Sequence, residues 1–262
     1  MLTGRESKLI SAMSSRHQRK KQPYFVAEGL RCCREAVLRR PEWCELLLVT
    51  DEFADSESGR GFAALPEVSG LRLERVDGPL FRELVETENP QGVLCLMRRP
   101  EYVVPQSVPH PFALILDRVA EPGNLGTILR TAWAVGLTQL WLVKGGADPY
   151  APKVVRSGMG AQFALELCEF GTLAEARETL FRLGGRRLWC TEEKSDISVF
   201  DEERFILDES GLVIGNEANG ISDTTLGTPV TIPMPGHAES LNVAQATTVF
   251  LFEAVRRGMV KE

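Results

Sequence analysis

Residues 112–132 read FALILDRVAEPGNLGTILRTA, and this stretch decides the fold of the second half of the chain. Its first five residues form an apolar run that is typical of a buried strand. The apolar residues after the polar turn recur at the spacing of one helix face: Leu125, Ile128, Leu129, Ala132 and Trp133. A polar turn between a strand and a helix is a common place for catalytic groups in α/β proteins. Asn124 and Arg130 are the candidates here, and the simpler interpretation is a helix cap and a surface charge.

The alternation of strand and helix patterns continues to the end of the chain. It predicts a mainly parallel sheet that is covered by helices on both faces. Strands are predicted at 112–116, 139–143, 163–167, 187–190, 212–215 and 230–232. Helices are predicted at 125–135, 152–157, 173–183 and 241–257.

A separate, smaller α/β unit is predicted at the N-terminus. Strand-like runs occur at 24–27, 46–50, 71–76 and 93–97, and helical patterns at 30–39 and 79–86. The segment 99–111 contains four prolines in thirteen residues, which favours an extended connection over regular structure. We therefore predict two domains, 1–104 and 105–262.

Composition excludes several classes of protein. The content of 44% hydrophobic and 25% charged residues is that of an ordinary globular protein. The chain has neither an apolar run of about eighteen residues nor the apolar centre of a secretory signal, so we expect a cytoplasmic protein without membrane association. The six cysteines form no C-x-x-C pair and the three histidines are dispersed, so no metal site is expected.

Charge is distributed unevenly along the chain. The formal net charge is −6, but residues 1–40 carry 10 Lys and Arg against 3 Asp and Glu. A basic arm of this kind can bind a phosphate backbone, although a solvated basic helix is an equally good interpretation. The candidate phosphate contacts are Arg16, Arg19, Lys20, Lys21, Lys153 and Arg156.

Two later segments resemble the first in character. Residues 215–222 read GNEANGIS and follow an apolar strand, so Glu217 is expected at the carboxyl end of the sheet, although a Gly and Asn cluster is also an everyday turn. Residues 232–246 read IPMPGHAESLNVAQA, in which Pro and Gly disfavour regular pairing and leave backbone groups free for a ligand. Ser240 is predicted to cap the last helix, with Asn242 in its first turn.

Together with KVVRSGMGA at 153–161, the three segments resemble the motifs of the SpoU-type, TrmH-like RNA ribose 2′-O-methyltransferases. The resemblance implies a SPOUT fold, in which the C-terminal part of the α/β domain forms a trefoil knot. It also implies a small N-terminal RNA substrate-binding domain, a homodimer and S-adenosylmethionine as cofactor. Glu121 and Ala218 depart from the residues most usual in these motifs, which bears on loop geometry.

The resemblance also assigns roles to individual positions. Those that match cofactor-binding positions are Thr191, Gly215, Ile232, Met234 and Leu241. Those that match positions associated with catalysis or substrate placement are Asn124, Arg130, Glu217, Ser240 and Asn242. Because a guanidinium titrates above about pH 12, electrostatic stabilisation is a better role for Arg130 than that of general base.

The expected function is methylation of a ribose 2′-hydroxyl in RNA, with ribosomal RNA and a guanosine favoured and no DNA partner. A transfer RNA 2′-O-methyltransferase and a non-catalytic RNA-binding protein of the same fold are the alternatives. A base methyltransferase with a related knot fits the first and third motifs less well. A nicotinamide-dependent oxidoreductase is disfavoured because no strand is followed by G-x-G-x-x-G.

Overall fold

A computed structural model describes residues 2–19 and 21–260, apart from the side chain of Arg16. Its contacts divide the chain into two compact units. The first contains residues 1–101 and 148–163, and the second contains 102–147 and 164–262. The segment 148–163 thus clusters with the N-terminal unit, although in sequence it lies within the predicted catalytic domain.

Ten strands and eleven α-helices, besides three short 3₁₀ helices, are assigned in the described residues. Up to residue 98 they are α1 (Gly4–Ser14), α2 (Arg16–Arg19), β1 (Tyr24–Glu28), α3 (Leu30–Arg39), β2 (Cys44–Thr50), α4 (Asp51–Asp55), α5 (Glu57–Ala63), β3 (Leu73–Val76), α6 (Gly78–Leu84) and β4 (Val93–Arg98). From residue 112 they are β5 (Phe112–Asp117), α7 (Pro122–Ala134), β6 (Gln139–Val143), α8 (Pro152–Gly158), α9 (Ala161–Ala164), β7 (Glu166–Phe170), α10 (Leu173–Arg182), β8 (Arg187–Thr191), β9 (Ser210–Ile214), β10 (Thr228–Val230) and α11 (Val243–Arg256).

The first unit is built on a four-stranded mixed sheet in the order β1-β4-β2-β3. Strand β4 runs antiparallel to both neighbours, whereas β2 and β3 are parallel. One core lies on this sheet beneath α1 and α6, where Ile10, Met13 and Phe81 are almost completely buried. Helix α1 caps itself through Thr3 and Glu6, which form a capping box, so the basic N-terminal segment begins as an ordered helix.

The second unit is a six-stranded sheet in the order β10-β8-β9-β5-β6-β7, and every neighbouring pair is parallel. The predicted parallel sheet is therefore confirmed. Strand β5 is completely buried because it lies between β9 and β6. The chain runs outward from β5 through β6 to β7 and then returns on the other side through β8 and β9, so the strand order reverses at β5. Ligands of open α/β sheets bind outside the carboxyl ends of the strands at such a reversal.

Several side chains confirm the sequence pattern. Four of the five residues of the predicted stripe on α7 are buried, since Leu125, Ile128, Leu129 and Ala132 are each at most 1% exposed, whereas Trp133 is only partly buried. All six cysteines are free thiols, and five of them are buried.

In the described part of the chain, no helix combines the length and the hydropathy that crossing a bilayer requires. The cytoplasmic location and the trefoil knot stay predictions.

Candidate functional site

The loop after β9 is closed tightly on itself. The backbone N–H groups of Asn216 and Gly220 each donate to the other residue's carbonyl at 2.9 Å. The Asn216 side chain accepts hydrogen bonds from the N–H groups of Ala218 and Asn219 and donates to the Arg118 carbonyl at 2.8 Å. A Cβ at Gly215 would lie 2.5 Å from the backbone of Gly220, so only glycine fits where the loop leaves the strand.

Asp117 fixes the end of β5 against the same loop. Its carboxylate is fully buried and accepts a hydrogen bond from the Ser222 N–H at 2.5 Å. Its second oxygen accepts from the Arg118 guanidinium at 3.2 Å. Arg118 has φ 61°, in the left-handed region, so the chain turns sharply after the strand. The first and second motifs are therefore held together by buried polar contacts.

Glu217 connects the three motifs through one hydrogen-bonded chain. Its carboxylate accepts from the backbone N–H groups of Ala120 and Glu121 at 2.9 and 3.0 Å, and from Asn124 Nδ2 at 2.9 Å. Asn124 Oδ1 in turn accepts from Asn242 Nδ2 at 3.0 Å. Asn242 Oδ1 then accepts from the N–H groups of the first turn of α11. Asn124, Glu217 and Asn242 are thus brought together as predicted partners of one site.

The Glu217 carboxylate is held in its ionised form. Partial burial raises its pKa, but the hydrogen bonds from Ala120, Asn124 and Glu121 outweigh burial and hold the pKa below the ordinary carboxyl value. An ionised Glu217 can only accept hydrogen bonds. It therefore fixes the Asn124 amide with its NH₂ towards Glu217 and its oxygen towards Asn242.

The predicted capping roles are wrong at two helices. Helix α7 begins at Pro122, so Asn124 lies in its first turn, and its side chain bonds to Glu217 and Asn242 instead of capping the helix. Helix α11 begins at Val243, and its cap is Asn242, whereas Ser240 lies two residues earlier in an exposed loop. At α11, Ser240 and Asn242 are both good capping residues, and the structure places Asn242 at the boundary. At α7, the helix begins at Pro122, ahead of Asn124, and Glu121 at the cap position makes no side-chain capping bond.

A cavity of about 460 Å³ lies beside this network, at the carboxyl ends of the sheet. All five residues predicted to bind the cofactor line it: Thr191, Gly215, Ile232, Met234 and Leu241. Glu217, Ser240 and Asn242 line it as well. The Thr191 hydroxyl donates to the Val213 carbonyl at 2.9 Å, so this side chain is fixed by the neighbouring strand.

The charge of the cavity lining has one sign. Glu192, Glu193, Glu217 and Glu239 line it, and the described lining residues include no Lys, Arg or His. Of these four glutamates, only Glu217 is a site residue predicted from the sequence. Glu192 and Glu193 directly follow β8, a position that parallel-sheet topology associates with ligands, so they were open to prediction. Four carboxylates around one cavity favour a ligand that carries positive charge.

Arg130 is placed differently from the other predicted residues. It is exposed on α7, six residues or about 9 Å along the helix from Asn124, and it is not among the described residues that line the cavity. No hydrogen bond or ion pair engages its guanidinium within the described structure. An exposed cation at this position is open to an anionic group of a ligand.

The predicted phosphate contacts fall into different environments. Arg19 is buried and pairs with Asp148 at 3.3 Å, which gives it a structural role. Lys21 and Lys153 are exposed, and Arg156 lies 3.7 Å from Glu28. Lys20 and the side chain of Arg16 lie outside the described residues.

Comparison with known proteins assigns the family. A model described as the SpoU rRNA Methylase family matches residues 111–252, which include all three motifs. The chain belongs to this family. A second model, described as an MRM3-like substrate binding domain, matches residues 6–95.

Relatives and solved structures of the family agree with this assignment. An uncharacterized tRNA/rRNA methyltransferase of Synechocystis sp. is 34% identical over 70% of this chain, and the match spans 66% of that protein, just under two thirds of its length. The 23S rRNA (guanosine(2553)-2′-O)-methyltransferase RlmP of Bacillus subtilis is 28% identical over 92% of both chains. The SpoU methyltransferase AviRb of Streptomyces viridochromogenes, solved in complex with AdoMet, has a TM-score of 0.81 and 29% identity over 99% of this chain and 100% of its own.

Proposed function

We propose that this protein transfers a methyl group from S-adenosylmethionine to a ribose 2′-hydroxyl of ribosomal RNA. The observation that carries the proposal is the hydrogen-bonded chain Glu217–Asn124–Asn242 at the rim of the cavity. It joins the three family motifs in one place and leaves the exposed Arg130 on the same helix as Asn124. The names of the relatives support ribosomal RNA as substrate. RlmP is named for a guanosine, which supports guanosine as the methylated nucleoside, whereas a relative from Streptomyces viridochromogenes is named for a uridine.

The cavity suits S-adenosylmethionine in shape and charge. Ile232, Met234 and Leu241 offer apolar surface, and Gly215 allows a ligand to approach the backbone closely. The surrounding carboxylates compensate positive charge, which a sulfonium and an ammonium group both carry. When bound, S-adenosylmethionine supplies an electrophilic methyl group.

The residues of the chain orient the RNA and stabilise charge. Arg130 holds a phosphate of the target nucleotide and stabilises the oxygen that loses its proton, as an electrostatic partner and not as a base. Asn124 is held in one orientation by Glu217 and Asn242, so its amide presents a fixed face to the ribose, and the exposed Arg130 on the same helix supplies the positive charge. Ser240, in the exposed loop at the cavity, contributes a hydroxyl to the same pocket.

Binding of the RNA also involves the N-terminal region. We assign substrate binding to 1–104 and catalysis to 105–262, with the protein acting as a homodimer as the family resemblance implies. Lys21, Lys153 and Arg156 are the described basic residues that remain as phosphate contacts, since Arg19 is buried. Transfer RNA is the alternative substrate.

The proposal is tested by mapping 2′-O-methylated nucleotides in RNA from cells with and without the protein. The expected result is the loss of one guanosine methylation in large-subunit ribosomal RNA, restored by the wild type and not by Arg130→Ala. Loss of a transfer RNA site instead would overturn the substrate assignment. An unchanged map would overturn the proposed activity.

A further inference from the structure

The first unit contains a cavity, lined by both apolar and polar groups, that the methyl-transfer site does not use. Its volume is about 260 Å³, and its lining includes the junction of β1 and α3, the segment before β4 and the end of α8. Cavities that bind drug-sized ligands measure about 300 to 1,000 Å³. This cavity is therefore of a size for one nucleobase.

Glu28 presents an unused carboxylate oxygen to this cavity. Its side chain is only 8% exposed. Thr87 donates to Oε2 at 2.8 Å, and Arg156 Nη1 lies 3.7 Å from the same oxygen. Both of these contacts are to Oε2, Oε1 has no hydrogen-bond partner among the described residues, and Glu28 is one of the residues that line the cavity. Burial raises the pKa of Glu28, and N–H donors of a ligand favour the ionised form, which accepts hydrogen bonds strongly.

Gln91 provides hydrogen-bond donors in the same cavity. Its Oε1 accepts from the Leu30 N–H at 2.8 Å, which fixes the amide and leaves its NH₂ group without a described partner. Gly29, with φ 90°, makes this approach possible, because a Cβ there would lie 3.1 Å from Gln91 Oε1. The acceptor of Glu28 and the donors of Gln91 are therefore held in place by the fold.

Apolar and cationic groups complete the lining. The Met159 thioether offers a surface that can contact the face of a base. Arg31 and Arg156 carry guanidinium groups at the same cavity, where they can contact a phosphate. The cavity thus offers a carboxylate acceptor, amide donors, an apolar wall and two cations. This combination matches a nucleotide in single-stranded RNA, which proteins recognise at its exposed base edges.

We propose that this cavity binds one unpaired guanine of the RNA substrate, an inference that rests on the proposed function. Guanine has two adjacent N–H donors on its Watson–Crick edge, which suit the Glu28 carboxylate, and O6 and N7 acceptors, which suit the Gln91 amide. Adenine presents a ring acceptor to the carboxylate in place of a donor. A site with a buried polar group strongly rejects a ligand that leaves this group unpaired.

The test uses the full chain and fluorescein-labelled oligouridine RNAs that contain one central guanosine, inosine or adenosine. Fluorescence anisotropy at fixed salt gives the three dissociation constants. The wild type is expected to bind the guanosine probe about tenfold more tightly than the adenosine probe, with inosine between them because it lacks the 2-amino group. Glu28→Gln is expected to reduce the preference to less than twofold, and the neighbouring Glu86→Gln to keep it.

Equal affinities of the wild type for the guanosine and adenosine probes would overturn the proposal without any variant. A preference that survives in Glu28→Gln, folded by circular dichroism, would also overturn it. Calorimetric binding of S-adenosylmethionine and methyl transfer to ribosomal RNA are measured on the same samples. If cofactor binding and methyl transfer are intact but the protein shows no guanine preference, only the proposed guanine site is wrong. If the guanine preference is present but methyl transfer is absent, only the proposed function is contradicted.

Discussion

Replacing Glu217 by Gln tests the hydrogen-bonded chain that holds the three motifs together. The carboxylate accepts from two backbone N–H groups and from Asn124, with Ala120 on one oxygen and Glu121 and Asn124 on the other. A glutamine has one acceptor oxygen and one NH₂ group. At least one N–H group therefore loses its acceptor and faces another donor.

The magnitude follows from these contacts. A hydrogen bond to a charged group contributes about 1.5–3 kcal/mol when it is shielded. Because Glu217 is exposed, water replaces part of the lost bond, and we expect a destabilisation of about 1–2 kcal/mol. The effect should be local, with faster amide exchange at 118–124 and 216–220. Glu203→Gln is the matched control, since this exposed glutamate lies in another loop of the same unit.

The pH dependence has a defined sign. The folded-state pKa of Glu217 lies below its ordinary value, so its ionised form stabilises the fold above the ordinary carboxyl range. The difference in the free energy of unfolding between wild type and Glu217→Gln should be fully present at pH 7. It should decrease as the pH falls below about 4.5, because the carboxylate then becomes protonated. Hydrogen exchange with mass spectrometry and urea titrations measure both effects. Equal amide exchange in the two proteins at pH 7, or a stability difference independent of pH, would show that the Glu217 carboxylate does not hold the motifs together.

Three further predictions concern the same site. Arg130→Ala should abolish methyl transfer and leave thermal stability and cofactor affinity unchanged, whereas the control Arg182→Ala, at another exposed helical arginine, should remain active. Substantial residual turnover of Arg130→Ala in a methyl-transfer assay would contradict the proposed role of Arg130. Gly215→Ala should lose cofactor binding in calorimetry because its Cβ meets backbone at 2.5 Å, whereas Gly236→Ala, in open space, should retain it. Glu239→Gln removes one charge from the cavity lining, so it should weaken the binding of S-adenosylmethionine about twofold to threefold more than the binding of S-adenosylhomocysteine, the product with a neutral sulfur. An equal loss of affinity for both compounds argues against selection by charge.

The sheet of the second unit was predictable because its strands are short apolar runs between helical patterns. Residues 112–116 and 139–143 were predicted as strands and form β5 and β6. The prediction fails where apolar character does not separate strand from helix. Residues 163–167 were predicted as one strand, but the structure ends α9 at Ala164 and begins β7 at Glu166.

Helix α1 decides between two interpretations that the sequence pattern leaves open for the N-terminal segment, a basic arm and a solvated basic helix. Its capping box at Thr3 and Glu6 is a readable signal for the helix. Helices α4 and α5, in residues 51–63, are not predicted from the sequence. Both are short, with small or charged residues, and they are stabilised by caps at Thr50 and Ser56 more than by periodicity.

The site was partly readable from the sequence. Residues such as Asn124 and Glu217 stand out because polar groups follow apolar strands, and the family resemblance supplies their roles. Asn216 and Asp117 were missed, since an Asn beside Gly reads as a turn and an Asp after a strand reads as a solvated residue. The burial of Asp117, its bond to Ser222 and the bond of Asn216 to Arg118 depend on tertiary contacts that no local pattern encodes.

The most direct test of the proposed activity is the chemical position of the transferred methyl group. The protein is incubated with ribosomal RNA and S-adenosylmethionine labelled in the methyl carbon, and the RNA is hydrolysed with alkali. A 2′-O-methyl group blocks cleavage at its own nucleotide, so the label is expected in alkali-resistant dinucleotides. Label in mononucleotides would indicate a methylated base and would contradict the proposed activity, as would RNA that carries no label.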